Sequence, residues 1–225
     1  MALTGAGTAV IRRVVDIVSA ATLGPRSAGV LFLDMDPQVL RVIAERIVED
    51  FASLPGRRIV TLGPWANDTD LWVAGTFAAD GIGLEPGLLA ERPYRKPAVV
   101  VVPDLAAAGV SVQRAAIAVL DTSVAYVERS GRSMRWKPTC LWLAAVSRED
   151  AAHLSPHLLD RFPYRVDAAG MDEELRARYR ENAAAPAADD WASAIPLFHA
   201  DTIAVLPAMT DAATRRIVEA VPAGP

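Results

Sequence analysis

Short, continuous apolar runs separated by helical patterns constrain the fold of this chain more than any other feature. Each run is shorter than an ordinary helix, and charged, glycine or proline residues bound it, as is typical of strands buried on both faces. The candidate strands are residues 29–33, 58–62, 98–102, 139–146 and 164–166. Strands that alternate with helices over this length predict an α/β domain, with a mostly parallel sheet flanked by helices.

The clearest helical pattern follows the first candidate strand. Residues 37–51 carry apolar side chains at a period near 3.6, with Asp36 as the N-cap and Pro37 at the first helical position. Residues 111–124 and 8–23 show the same helical spacing. These helices supply the layers that a parallel sheet needs on its faces.

The character of the sequence changes near residue 170. A charged helix is expected at 173–180, an Ala/Pro-rich linker at 183–188, and a last helix at 211–221. The sequence therefore predicts an α/β core over residues 1–170 and a short helical tail over residues 171–225.

The composition argues against several classes of protein. Of the 225 residues, 52% are hydrophobic and 22% are charged, which is typical of a soluble globular chain. No apolar run approaches the ~18 residues of a membrane span, and Arg12 and Arg13 interrupt the stretch where a signal peptide would lie. The lone Cys140 lies in an apolar run, as a buried thiol in a reducing compartment would. With a net charge of −4, we expect a cytoplasmic protein that binds neither membrane nor nucleic acid.

Four further segments follow one another along the chain: Leu-Glu-Pro-Gly-Leu-Leu-Ala at 84–90, Val-Val-Val-Pro-Asp at 100–104, Val-Glu-Arg-Ser-Gly at 127–131, and Leu-Leu-Asp-Arg-Phe at 158–162. Together they resemble the ATPase subunit of magnesium chelatase, a ring-forming AAA+ protein. The resemblance is strong over 84–162 and weak over the rest of 15–222. It implies an AAA+-like core, whose helical lid would here be truncated to the predicted tail.

The hydrolytic residues of that family are altered together. No G-x-x-x-x-G-K-[ST] phosphate loop occurs, and residues 34–37 (Asp-Met-Asp-Pro) stand in its place. Pro103 replaces the magnesium-binding aspartate, Asp104 replaces the catalytic glutamate, and Ser147 stands near the sensor asparagine. The resemblance therefore implies a pseudo-ATPase, with no ATP or magnesium cofactor and no autonomous ATPase activity.

Arg161 matches the arginine finger of the family, which reaches the nucleotide of a neighbouring subunit. A chain that keeps this arginine would act in trans, as an assembly or regulatory subunit. The implied partners are an active AAA+ paralogue or a von Willebrand A-domain chelatase-type subunit, with homo-oligomers as an alternative. A plainer interpretation is that Arg161 forms an ion pair with Asp160 or Glu128.

A β-hairpin is predicted between residues 124 and 136, from two short alternating runs around Ser130-Gly131. The resemblance identifies it as the hairpin insert, which in AAA+ rings faces the pore or a partner. Glu128, Arg129 and Trp136 are its candidate interface residues, and an exposed Trp136 would be an interface anchor.

Acidic residues after the strands leave room for an enzymatic function. Asp34, Asp36 and Asp104 would follow the ends of strands, where they could bind a metal and a small substrate in a repurposed enzyme. The Asp-x-Asp pattern at 34–36 also resembles that of haloacid dehalogenase phosphatases, but Pro37 breaks the motif. His153 and His157 are spaced as metal ligands, although a surface position is expected for both. The sequence is also compatible with a noncanonical ATP-binding ATPase and with a stand-alone interaction module.

Overall fold

The computed structural model describes residues 17, 27–50, 58–78, 81–90, 97–122, 124–129, 132–138, 140–169 and 171. Its strands are β1 (Ala28–Leu33), β2 (Arg58–Thr61), β3 (Val73–Ala78), β4 (Gly81–Pro86), β5 (Pro97–Val102), β6 (Ala125–Arg129), β7 (Arg132–Trp136), β8 (Leu141–Val146) and β9 (Tyr164–Asp167). Its helices are α1 (Pro37–Asp50), α2 (Asp68–Leu71), α3 (Val110–Thr122), α4 (Arg148–Ala151) and α5 (Pro156–Leu159).

A five-stranded sheet forms the centre of the structure, in the order β2-β5-β8-β1-β9. Every neighbouring pair in this sheet is parallel, and each of its strands overlaps one of the apolar runs found in the sequence. The predicted α/β class with a mostly parallel sheet is therefore confirmed.

The two faces of the sheet carry separate hydrophobic cores because successive side chains of a strand point to opposite faces. Val30 and Phe32 of β1 pack in the core that contains α1, whereas Leu31 lies in the core that contains α3. On β8, Trp142 shares the α3 side and is fully buried. This burial on both faces explains why the strands are continuous apolar runs.

Helix α1 begins where the capping pattern predicts. The Asp36 carboxylate accepts a hydrogen bond from the backbone N–H of Gln38 at 2.7 Å, and Pro37 is the first helical residue. Its buried residues follow the predicted period and lie in the core on the face of the sheet that this helix covers, against β5, β8 and β2: Val39, Leu40, Ile43, Ala44 and Ile47.

Two antiparallel hairpins lie outside the central sheet. The hairpin of β6 and β7 is the predicted one, with Arg129 opposite Arg132 next to the turn. The hairpin of β3 and β4 and the short helix α2 were not predicted from the sequence. Glycines at 75, 81 and 83 weaken the alternation of side chains that would have indicated strands there.

Little of the predicted tail can be described. Met171, only 2% exposed, packs in the same core as α1. The remaining residues of the predicted tail, 172–225, lie outside the described residues, as does the predicted N-terminal helix except for the buried Ile17. Among the described helices, none combines the length and the apolar character that crossing a membrane requires.

Candidate functional site

The carboxyl edge of the parallel sheet is where a ligand site is first expected. After β1 the chain crosses to β2 at the far edge, whereas after β8 it passes to β9 on the other side of β1. Because these connections leave in opposite directions, the ends of β1 and β8 form the topological switch point, where open α/β sheets have the crevice that binds ligands. Asp34 follows β1 and Ser147 follows β8, so two of the predicted polar residues lie beside it.

An arginine bridges two carboxylates across this crevice. The Nη2 of Arg148 lies 2.7 Å from Oδ2 of Asp167, and its Nε donates to Oδ2 of Asp34 at 3.2 Å. The backbone N–H of Arg148 also donates to Oδ1 of Asp34, at 2.8 Å. The hydrogen bond from Arg148 lowers the pKa of Asp167, and the same two carboxylates raise the pKa of Arg148. This Asp34–Arg148–Asp167 triad ties together the ends of β1, β8 and β9.

Asp34 is in the left-handed region, with φ of 57°, and among the described residues no other non-glycine residue has a positive φ. Aspartate adopts this conformation more readily than most residues because its short carboxylate can bond locally. The N–H of Asp34 donates to the carbonyl of Val146 at 3.0 Å. The backbone of Asp34 therefore binds the last residue of β8, and its side chain binds the first residue of α4.

The connection from β1 to α1 is only three residues long, as expected. Met35 points into the core, with 7% of it exposed, and Asp36 caps α1. The carbonyl of Asp36 accepts from the N–H of Leu40, and its carboxylate accepts from that of Gln38. The start of α1 therefore presents a carboxylate where a phosphate-binding helix presents free N–H groups.

Asp104 and Ser147 each stabilise the turn that follows their strand. The Asp104 carboxylate accepts from the N–H groups of Ala106 and Ala107, at 2.9 and 3.0 Å. The Ser147 hydroxyl caps α4, accepting from the N–H of Asp150 at 2.9 Å and donating to its carboxylate at 2.6 Å. Local capping therefore accounts for both side chains.

The carboxylates of the alternative metal site are not assembled into one. Asp34 binds Arg148, Asp36 caps α1, and Asp104 stabilises the turn after β5. Within the described part of the chain, no three His, Cys, Asp or Glu side chains are grouped so that they could hold a metal ion. His153 and His157 are both exposed, as expected.

Arg161 lies at the opposite, amino edge of the sheet. It follows α5 and precedes β9, and its neighbour Phe162 packs beside Gly29 near the start of β1. Six-residue strands separate this edge from Asp34 by roughly 17 Å. The guanidinium of Arg161 therefore cannot reach the crevice of its own chain.

The partner of Arg161 is Asp121, at the end of α3. The Nη1 of Arg161 lies 2.9 Å from Oδ1 of Asp121, and Nη2 lies 3.5 Å from Nδ1 of His157. The plainer interpretation of Arg161 as an ion-pair residue therefore holds, but its carboxylate is Asp121 in place of Asp160 or Glu128. About a quarter of the Arg161 side chain remains exposed, and its buried Nε has no hydrogen-bond partner among the described residues.

The exposed aromatic residue of the β6–β7 hairpin is Tyr126 and not Trp136. Trp136 is only partly exposed because its ring stacks on Trp72, with centroids 6.0 Å apart and planes at 21°. Tyr126 is 68% exposed, and the guanidinium of Arg135 lies 5.4 Å from its ring centre. Glu128 is exposed, as an interface residue would be, and the side chain of Arg129 lies outside the described residues.

The segment 84–90 has a structural role. The N–H groups of Gly87, Leu88 and Leu89 donate to carbonyls of residues 70–72, at 2.7–2.8 Å, which fastens the segment to the end of α2. A Cβ added at Gly87 would lie 2.5 Å from the backbone nitrogen of Trp72. Glycine is therefore required by the close approach of two backbones.

Sequence reasoning missed Arg148, Asp167, Asp121 and Tyr126. Arg148 lies two residues after one predicted strand, and Asp167 directly follows another, so their positions at a common sheet edge could have been inferred. Their pairing could not, because the strand order is not visible in the sequence. Asp121 and Tyr126 carry no motif.

Comparison of the chain with protein-family models and with curated proteins gives no match in either case.

Proposed function

We propose that this chain is a degenerate AAA+ subunit similar to the magnesium chelatase ATPase, a pseudo-ATPase that assembles with or regulates an active partner. The observation that carries the proposal is the Asp34–Arg148–Asp167 triad at the ends of β1, β8 and β9. In AAA+ ATPases this crevice holds the nucleotide phosphates. Here its residues form ion pairs with one another.

The residues present do not fit a magnesium nucleotide. The three-residue link after β1 is too short to enclose a triphosphate, and its two carboxylates would repel one. Pro103 offers no ligand, and the Asp104 carboxylate is held by Ala106 and Ala107. Phosphoryl transfer depends on metal binding and charge neutralisation, so the chain lacks the groups that catalyse it.

The position of Arg161 supports an action in trans. It lies at the amino edge, away from the crevice of its own chain, and a quarter of its side chain is exposed. An arginine that enters a neighbour's nucleotide site is worth on the order of 10³–10⁵ in rate. To do so, Arg161 would exchange Asp121 for the neighbour's phosphates.

Two experiments test the proposal. Calorimetric titration of the purified protein with ATP and ADP, each with magnesium, is expected to give no saturable heat at millimolar nucleotide. Micromolar binding would contradict the pseudo-ATPase and favour a noncanonical ATP-binding ATPase.

The second experiment measures ATP hydrolysis by a co-expressed active AAA+ partner. The wild-type chain is expected to change the partner's rate, and Arg161→Ala to abolish that change. Arg165→Ala is the matched control, because Arg165 is a nearby, more exposed arginine that binds the carbonyl of Leu159. If the chain leaves the rate unaltered, or if both variants behave as wild type, the trans-acting role is refuted.

A further inference from the structure

Within the described part of the chain, the outer edge of β6 pairs with no strand. There β6 pairs with β7 alone, and no backbone group of Ala125–Arg129 bonds to a described residue outside this hairpin. In an antiparallel pair, alternate residues direct their N–H and C=O groups away from the partner strand. The β6 edge therefore offers main-chain donors and acceptors to another strand.

A groove of about 440 Å³ follows this edge. Four consecutive β6 residues line it on one side, Ala125 to Glu128, and α3 lines it on the other through Arg114, Ala115 and Ala118. Because the lining includes residues from both faces of β6, the groove lies along the strand edge. Small alanines on α3 leave room for an extended chain between helix and strand.

The groove is lined by buried apolar residues and by exposed polar and charged ones. Trp72 and Ala115 are buried in it, whereas Tyr126 and Glu128 are exposed on β6, and Asp68 is exposed at the start of α2. Among the described residues, neither of these two carboxylates has an ion-pair partner. Arg114 is the one cation in the described part of the lining, so carboxylates outnumber it there.

We propose that this groove binds an extended, basic peptide segment of a partner protein, which adds a strand to β6. Main-chain hydrogen bonds to the β6 edge would hold the segment, as in other cases of strand addition. Its alternate side chains would pack against Ala115 and Ala118 on one face and lie beside Tyr126 and Glu128 on the other. A peptide in which apolar and basic residues alternate would direct its apolar side chains to the alanines of α3 and its basic side chains to Glu128.

The test titrates the full chain with the peptide Ac-TKVKVT-NH2 and follows the backbone amide chemical shifts of the protein by NMR. We expect saturable shifts in Ala125–Glu128 and in the facing residues of α3. The same peptide with N-methyl groups on alternate residues should bind at least about tenfold more weakly, because it loses main-chain hydrogen bonds. Equal binding of the methylated peptide would refute strand addition.

Two variants test the groove and its charge. Glu128→Lys should weaken the lysine peptide about fivefold and strengthen Ac-TEVEVT-NH2, since opposite charges across strands attract. Ala118→Gln, which fills the groove on α3, should abolish binding of both peptides. Glu149→Lys is the matched control, because Glu149 is also an exposed acid and lies on α4, outside the groove.

Three outcomes would overturn the proposal. Peptide affinity that is the same in Glu128→Lys and Glu149→Lys would exclude recognition of basic residues here. An absence of shifts in β6 with either peptide would exclude peptide binding. Shifts in β6 that depend on protein concentration and not on peptide would identify a second copy of this chain as the occupant.

Discussion

Asp34 accepts hydrogen bonds from both the backbone N–H and the Nε of Arg148, at 2.8 and 3.2 Å, although 114 positions separate the two residues in the sequence. The contact joins the loops after β1 and β8 at the switch point of the sheet. Since Arg148 also pairs with Asp167, one side chain connects three strand ends. The ion pairs in the crevice therefore help to hold the fold together.

Replacing Asp34 tests how much its contact with Arg148 contributes to stability. Asp34→Ala should lower the free energy of unfolding by about 2 kcal/mol, because it removes two hydrogen bonds and places alanine at positive φ. Asp34→Asn should cost less than about 1 kcal/mol, since asparagine tolerates this backbone and keeps the acceptor for the N–H of Arg148. Urea unfolding of the three proteins measures the difference. Equal losses for both variants would contradict the role given to the side chain.

The Asp167 ion pair should make stability depend on pH in the acidic range. Its pKa in the folded protein lies below the unfolded value near 3.8, so its contribution is complete well above that value and is lost as pH falls through the folded pKa. Between about pH 5 and pH 2, Asp167→Asn should therefore lose less stability than the wild type. The difference should shrink at high salt because both side chains are 60% exposed. Urea unfolding across this pH range, at low and high salt, provides the check.

Gly87 should tolerate no side chain. In Gly87→Ala the new Cβ would press on the backbone of Asp70 to Trp72, so the free energy of unfolding should fall by about 2 kcal/mol or more. Gly109→Ala is the control, because its Cβ would approach the nearest atom, the carbonyl oxygen of Pro64, at an ordinary 3.4 Å. Gly109→Ala should lower the free energy of unfolding by no more than about 1 kcal/mol. A comparable loss at both glycines would mean that the backbones near Gly87 separate easily.

The stack of Trp72 and Trp136 should stabilise the junction between α2 and the β6–β7 hairpin. Trp136→Ala should cost about 3 kcal/mol, whereas Trp136→Phe, which keeps an aromatic ring, should cost about 1 kcal/mol. The far-ultraviolet exciton signal of the paired indoles should disappear in both variants. Thermal unfolding and circular dichroism report these two effects separately. A signal that survives in Trp136→Phe would show that another tryptophan pair produces it.

The pair of Arg161 and Asp121 should contribute little to stability. A double-mutant cycle with Arg161→Ala and Asp121→Ala should give a coupling of about 1 kcal/mol or less, as for other partly exposed ion pairs. Both variants should therefore remain folded at ordinary temperatures, which makes the partner assay with Arg161→Ala interpretable. A coupling of several kcal/mol would instead assign Arg161 a structural role.

Much of the fold could be predicted because its signals are local. The strand of residues 98–102, helix α1 with its Asp36 cap, and the β6–β7 hairpin each depend on neighbouring residues, and each was confirmed. The hairpin of β3 and β4 was missed, since its glycines remove the alternation that indicates a strand. Which hairpin aromatic is exposed could not be predicted, because it depends on which of Trp136 and Tyr126 meets Trp72.

The sequence by itself determined the class of fold and the short link between β1 and α1, because strand period, helix capping and link length are properties of adjacent residues. Only the tertiary structure decided what occupies the crevice and where Arg161 points. Strand order brings Asp34, Arg148 and Asp167 to one edge and leaves Arg161 with Asp121 at the other. Such contacts join residues far apart in the chain, and the packing of the whole sheet selects them.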